Sequence, residues 1–119
     1  MLQLNYLAFN TRDWDRFLGF LKVDIIHETY QQTRQVGRAA FERNLRNADS
    51  SDLERFSEIS LTTKSDGTVA LAIFTVNWIE PQGSDKICCC RGGAFFEVSG
   101  GLVSSVSNRY NLHHIGRVI

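Results

Sequence analysis

Proline, cysteine, net charge and long apolar runs are all scarce in this sequence of 119 residues. There is one proline, and the three cysteines are contiguous at Cys88, Cys89 and Cys90. Neighbours on an extended strand point to opposite faces, so these thiols cannot build a disulfide framework, which fits a reducing compartment. We expect at least one of them to be buried and unreactive.

The charge balance excludes several classes of partner. The 13 basic side chains match 13 acidic ones, so the chain lacks the positive field that attracts a nucleic acid backbone or an anionic membrane. No apolar run approaches a membrane span, and the first residues lack the pattern of a signal peptide. We therefore expect a cytoplasmic protein with no nucleic acid and no membrane partner. The length suits a single domain over residues 1–119.

Metal and thiol chemistry find little support in the residue spacing. His113 and His114 are adjacent, but no second cluster of Cys, His or Asp lies at ligand spacing. Arg91 follows the cysteines, yet the apolar strand around them is more typical of inert buried thiols than of a nucleophile. The sequence predicts no metal and no cofactor.

The most informative stretch runs from Gly93 to Leu112 and predicts a long β-hairpin. Its turn, Ser99-Gly100-Gly101, supplies the positive φ angles of a tight connection. Alternation places Phe96 on one face and Phe95 with Val103 on the other. Because both faces carry apolar side chains, we expect helices to cover one face and the second subunit of a homodimer to cover the other.

The remaining elements follow the order of an α+β fold, with helices first and an antiparallel meander afterwards. Helical spacing occurs over residues 2–9, after Asp13 as an N-cap, and over residues 36–47. An extended segment at residues 23–28 precedes a polar loop at residues 29–35. The predicted long strands are residues 56–64, 69–80, 86–98 and 102–112.

Large side chains alternate along the second long strand, on a face turned toward helices too short to fill a curved sheet. This arrangement predicts an internal apolar pocket. The alternative for each of these side chains is that it belongs to the hydrophobic core and not to the wall of a pocket. Gly92 and Gly93 in the next strand predict a bulge or a close backbone approach. The residues that we expect nearest a ligand are Tyr6, Trp14, Phe74, Val76, Trp78 and Tyr110.

Several stretches, in this order and spacing, resemble the nuclear transport factor 2-like superfamily, also called SnoaL-like, and within it the ketosteroid isomerase-related proteins. The resemblance implies a cone-shaped curved antiparallel sheet wrapped around short N-terminal helices, an internal pocket and dimers formed through the sheet. The fold alone does not fix a function. The matching stretches are AFNTRDWD at 8–15, DIIHE at 24–28, VGRAAF at 36–41, GAFFEV and NRYNL.

The resemblance also implies a position for a catalytic base. In the isomerases a carboxylate base precedes the third helix, and Glu28 matches that position. An apolar pocket raises the pKa of a carboxylate by desolvation, which suits it to shuttle protons. His27 is the second candidate, and only one of the two should reach the pocket, because neighbours in an extended segment face opposite ways.

The oxyanion donors of the isomerases are not matched, since Asn5 stands at the tyrosine position and Gly93 at or beside that of the protonated aspartate. We therefore do not expect steroid isomerisation by the family mechanism. The first hypothesis is a protein that binds a small hydrophobic molecule, with isomerase- or lyase-type proton transfer by Glu28. The alternatives are a non-catalytic binding or dimerisation module and an epoxide hydrolase-like enzyme, for which the strands lack paired aspartates.

Overall fold

The computed structural model describes residues 2–29, 32–48, 53–79, 87–111 and 116–117. Its helices are α1 (Leu2–Asn10), α2 (Trp14–Gly19) and α3 (Arg38–Ala48). Its strands are β1 (Leu21–Glu28), β2 (Arg34–Val36), β3 (Leu53–Thr63), β4 (Val69–Ile79), β5 (Ile87–Ser99), β6 (Leu102–Tyr110) and β7 (Gly116–Arg117).

The strands form one curved, unclosed sheet in the order β2-β1-β6-β5-β4-β3, with β7 pairing with β5. Neighbouring strands are antiparallel except for β1 and β6, which run parallel. The predicted α+β fold, with short N-terminal helices against a curved sheet, is confirmed. The parallel pair is a feature that the sequence pattern does not reveal.

The first two helices cover the inner face of the sheet. Asp13 caps α2 as predicted, since its carboxylate accepts a hydrogen bond from the Arg16 backbone N–H at 3.3 Å. The helix then places Trp14, Phe17 and Leu18 in the core. No helix in the described ranges is long and apolar enough to cross a membrane.

The hairpin between β5 and β6 has the predicted turn. Gly100 and Gly101 have φ angles of 61° and 80°, which a two-residue primed turn requires. The register then shifts beside Glu97, because Ser104 has no partner of its own on β5. This bulge reverses the faces, so Val103 is fully buried. The expectation that Val103 shares the outer face with Phe95 is therefore wrong.

Strand β2 overlaps the end of the stretch predicted as a polar loop and includes Val36, the residue predicted to open the third helix. Its three residues pair with β1, with Val36 opposite Ile26 and Gln35 opposite His27. Propensity is a weak guide to such a short edge strand, because the pairing and not the composition holds it in the sheet. The strand matters for the site, since it brings Gln35 beside His27.

Candidate functional site

A cavity of about 200 Å³ lies between the concave face of the sheet and the three helices. An engineered apolar cavity of about 150 Å³ holds benzene, so this one suits a guest of about one or two rings. Aromatic side chains from all three helices and from β3 and β5 dominate its wall. They are Tyr6, Phe9, Trp14, Phe17, Phe41, Phe56 and Phe96.

The aromatic wall is a continuous network of ring contacts. Phe9 lies at its centre, with its ring centroid 5.1 Å from Phe56, 5.3 Å from Trp14 and 5.5 Å from Phe17. Phe17 in turn contacts Phe41 at 5.7 Å. Tilted and edge-to-face pairs of this kind each contribute about 0.5–1.5 kcal/mol beyond area burial. The side chains of the wall therefore hold one another in place through these ring contacts.

Gly92 allows the Tyr110 ring to lie against the sheet. A Cβ atom at this position would lie 2.9 Å from Tyr110 Cδ1 and 3.0 Å from both Phe74 Cε1 and the Arg109 carbonyl oxygen. The predicted close approach is thus present. The register between β4 and β5 runs without a break past Gly92 and Gly93, so the alternative of a bulge there is wrong.

His27 lines the cavity on β1 and is mostly buried. Its ring stacks on Phe41 at 4.3 Å, Nδ1 lies 3.4 Å from Gln35 Oε1, and Nε2 lies 3.1 Å from Asn108 Nδ2. Burial lowers the pKa of His27 below its ordinary 6.5, and this outweighs the opposing effect of the Gln35 hydrogen bond. The imidazole is therefore neutral at neutral pH.

Glu28 does not line this cavity. Its carboxylate forms an ion pair with Arg109, whose side chain is 58% exposed. The strand register explains why His27 and not Glu28 faces the cavity. His27 pairs with the buried Val106, while Glu28 pairs with Ser107 on the opposite face of the sheet. The expected location of Glu28 in the apolar pocket is thus corrected, and His27 occupies that place. A catalytic role for either residue stays a prediction.

Tyr6 presents a polar group to an otherwise aromatic part of the cavity. Its ring packs on Phe56, Phe74 and Phe96 at centroid distances of 5.2, 5.8 and 6.1 Å. Within the described part of the chain, its hydroxyl makes no hydrogen bond. Burial raises the pKa of this phenol, so it stays protonated and can donate to a ligand.

Asn5, which stands at the tyrosine position of the isomerases, has a different role. It is 4% exposed, and its Nδ2 donates to the Phe17 carbonyl at 3.2 Å, which ties α1 to α2. Asn5 also borders the cavity, beside Tyr6. The phenol in this part of the cavity belongs to the next residue of α1, Tyr6.

The sequence reasoning missed a second polar group of the cavity, formed by Glu54 and Arg12. The Tyr110 hydroxyl donates to Glu54 Oε1 at 3.1 Å, and Arg12 Nη2 donates to the Glu54 carbonyl at 2.8 Å. The Arg12 guanidinium also lies over the rings of Phe9 and Trp14. Glu54 precedes Phe56 by two residues on β3, so a strand predicted to begin earlier would have placed it on the same face.

The structure divides the predicted ligand residues into groups. Tyr6, Trp14 and Tyr110 line the cavity. Phe74 and Val76 do not; they are fully buried, and Phe74 supports the wall from behind through Tyr6 and Phe56. Their location is thus corrected from pocket to core. The side chain of Trp78 lies outside the described residues.

The structure describes one of the three thiols and one of the three histidines. Cys90 is 3% exposed on β5, so one of the three thiols is buried as expected, while the side chains of Cys88 and Cys89 lie outside the described residues. In the described ranges, no three side chains of His, Cys, Asp or Glu are grouped as metal ligands. His113 and His114 lie outside those ranges.

Solved structures share both sequence and fold with this chain. A proposed polyketide cyclase from Xanthomonas campestris pv. campestris is 34% identical with a TM-score of 0.86, over 94% of this chain and 88% of that one. Another from Pseudomonas putida KT2440 is 31% identical with a TM-score of 0.86, over 94% and 90%. No family model and no curated protein sequence matches the chain.

The Δ5-3-ketosteroid isomerase from a Mycobacterium species is a more distant structural neighbour. It is 18% identical, with a TM-score of 0.77 over 98% of this chain and 94% of that one. At this identity the likeness extends to the fold alone, so the residues of the cavity have to be interpreted from their own geometry.

Proposed function

This chain belongs to the nuclear transport factor 2-like, SnoaL-like superfamily, and from that premise we propose that it binds a small, uncharged cyclic carbonyl compound and transfers a proton on it. The observation that carries the proposal is that Tyr6, with a phenol that stays protonated, and the neutral His27 imidazole line the same aromatic cavity. A hydrogen-bond donor and a proton acceptor in water-poor surroundings are the groups that enolisation requires.

The proposed reaction uses His27 as the proton carrier and Tyr6 as the hydrogen-bond donor. His27 Nε2 takes a proton from the carbon beside the carbonyl, and the electron pair of the broken C–H bond moves onto the carbonyl oxygen. Tyr6 donates a hydrogen bond to that oxygen as its negative charge develops. His27 then returns the proton to the same carbon or to a conjugated one, so the atoms and charges balance without a cofactor.

The Asn108 amide donates to His27 Nε2. A substrate has to replace this donor before His27 can accept a proton from carbon. Asn108 borders the same cavity, so its amide can move aside and donate to the substrate with its second N–H. We therefore assign Asn108 a role in admitting the substrate.

The size and wall of the cavity support a substrate class. About 200 Å³ accommodates about one or two rings and is too small for a four-ring steroid. Polyketides carry carbonyl groups, so the description of the two bacterial relatives as proposed polyketide cyclases agrees with a carbonyl substrate. A non-catalytic binding module remains the rival, since the same wall would hold a ligand without turnover.

The exchange of carbon-bound hydrogen for deuterium tests the proposal directly. We would incubate 1-tetralone, a two-ring ketone, with the protein in D₂O and follow its α-hydrogens by NMR. The wild type should accelerate exchange, and Tyr6→Phe and His27→Gln should each lower the acceleration by roughly 10²-fold or more. Glu28→Gln is the matched control, because this residue pairs with Arg109 outside the cavity.

Each other outcome has a distinct meaning. Binding of 1-tetralone without exchange would favour the binding module over the enzyme. Loss of exchange in Glu28→Gln but not in His27→Gln would restore Glu28 as the base. Failure of both 1-tetralone and the smaller 3-cyclohexenone to bind, measured by calorimetry, would contradict the proposed ligand class.

We further propose that the outer face of the sheet forms the homodimer that the sequence led us to expect. Leu71 and Phe95 are register partners on β4 and β5, and Ile73 follows Leu71 by two residues on β4. These three side chains are 45%, 44% and 45% exposed. Adjacent apolar side chains on one sheet face support an interface with a second copy.

A further inference from the structure

Three side chains from three neighbouring strands form a hydrogen-bonded row with His27 at its centre. Gln35 on β2 is the register partner of His27, and Asn108 follows Val106, its partner on β6, by two residues. Gln35 contacts Nδ1 and Asn108 contacts Nε2. Only Asn108 and His27 line the cavity, so Gln35 acts on the site from behind.

The two amides agree on one form of the imidazole. Gln35 approaches Nδ1 with its oxygen, which can only accept, so the proton must be on Nδ1. Asn108 approaches Nε2 with its NH₂ group, which can only donate, so Nε2 must carry the lone pair. The neutral imidazole of a free peptide prefers the opposite form, with its proton on Nε2. The position of the ring proton is therefore set by its partners.

We propose that Gln35 is a positioning residue that holds His27 as the Nδ1–H tautomer and so directs a basic Nε2 into the cavity. The use of Nε2 as a base rests on the proposed function, whereas the tautomer does not. Reversing both amides would give the other form, with Nε2–H facing the cavity as a donor. The reversed arrangement would leave His27 unable to accept a proton there.

The fold holds Gln35 in place for this task. Backbone hydrogen bonds from Thr29 to Thr33 at 2.9 Å and from Gly37 to Ile25 at 2.8 Å fix both ends of the short strand. The remaining ring partner of His27, Phe41 on α3, is apolar. The hydrogen-bond and ring partners of His27 in the described part of the chain are thus uncharged, which leaves the amides to decide the tautomer.

The tautomer can be measured without any ligand. Long-range ¹H–¹⁵N NMR on uniformly labelled protein at neutral pH separates a protonated ring nitrogen from an unprotonated one. The chain has three histidines, and His27→Gln identifies the His27 signals. We expect Nδ1 protonated and Nε2 unprotonated in the wild type. A protonated Nε2, or an even mixture of the two forms, would overturn the inference.

Two substitutions separate positioning from simple stability. Gln35→Leu removes the acceptor at Nδ1, so the Nε2–H form should become the major one once the Asn108 amide turns and accepts from Nε2–H through its oxygen. Gln35→Glu keeps an acceptor at Nδ1, so it should retain the Nδ1–H form and raise the pKa of His27. Gln3→Leu, at an exposed position of α1, is the control and should change neither. An unchanged tautomer in Gln35→Leu would show that Gln35 does not set it.

The kinetic test then distinguishes this inference from the proposed function. If the wild type catalyses exchange into 1-tetralone, Gln35→Leu should lower kcat about tenfold or more with little change in KM, and Gln35→Glu should rescue it. If the wild type shows the Nδ1–H tautomer, Gln35→Leu loses it and the wild type shows no exchange, the positioning by Gln35 holds and the proposed chemistry fails. If Gln35→Leu does not fold, the tautomer of His27 in the wild type and in Gln35→Glu still tests the inference, because a protonated Nε2 in either protein would contradict it.

Discussion

The Tyr110 hydroxyl donates a hydrogen bond of 3.1 Å to Glu54 Oε1, joining β6 to β3 across the concave face of the sheet. Two strands, β5 and β4, lie between them in the sheet order. The two side chains can meet only because the sheet curves toward its own concave side. This contact joins two residues of the cavity lining and is a measure of how strongly the sheet is bent.

Removing that contact should destabilise the protein. Tyr110→Phe deletes the donor while keeping the ring, so we expect the free energy of unfolding to fall by about 1–2 kcal/mol. Urea unfolding at neutral pH would measure it. Tyr6→Phe is the matched control, because the Tyr6 hydroxyl makes no hydrogen bond in the described part of the chain and its loss should cost less than about 0.5 kcal/mol. Equal losses in the two variants would contradict the assigned contact.

A side chain at Gly92 should not be tolerated. Gly92→Ala would press a methyl group against the Phe74 ring and the Arg109 carbonyl, both 3.0 Å from the ideal Cβ position. We expect a loss of about 1–3 kcal/mol in thermal or urea unfolding. Gly19→Ala is the control, since nothing lies within 4 Å of its Cβ position and α2 should gain slightly. A neutral Gly92→Ala would show that the sheet and Tyr110 can move apart freely.

The buried His27 should make stability depend on pH. Its pKa in the folded state lies below the ordinary 6.5, so the unfolded chain binds a proton first as the pH falls. The stabilising contribution is therefore complete above pH 6.5 and is lost as the pH drops through the window below that value. Comparing urea unfolding at about pH 7.5 and about pH 5 should show a larger loss in the wild type than in His27→Gln. The same loss in both would mean that His27 does not titrate in this way.

The outer face should hold two copies together. We expect the wild type to sediment as a dimer at micromolar concentration and Phe95→Lys to sediment as a monomer, because a charge would be placed in the apolar contact. Val23→Lys changes another exposed apolar side chain, 71% exposed on β1, and should leave the dimer intact. A monomeric wild type would remove the proposed interface.

Much of the fold could be predicted from the sequence because periodicity is a local signal. The helices, the long strands and the turn at Gly100 and Gly101 all leave such a pattern. The sequence also indicated that only one of His27 and Glu28 reaches the cavity. Which one does so depends on the pairing of β1 with β6, between residues about 80 positions apart, and local patterns carry no information on that register.

The other missed features have similar causes. Val103 turned inward because Ser104 forms a bulge, and a single added residue reverses every side chain beyond it. Glu54 was missed because polar composition hid the first residues of β3, although its alternation with Phe56 was available. Gln35 became visible only when β2 was seen to pair with β1.

The parallel pairing of β1 with β6 also limits when the sheet can finish folding during synthesis. While the chain is being synthesised, His27 emerges long before Val106 and Asn108, the residues of β6 that confine it. Closing so long a loop costs entropy that the early helices cannot offset by local contacts. The nascent chain therefore has aromatic helices that the complete sheet cannot cover until β5 and β6 have formed their hairpin. During that interval the future cavity wall is exposed apolar surface, a target for chaperones and for misassociation.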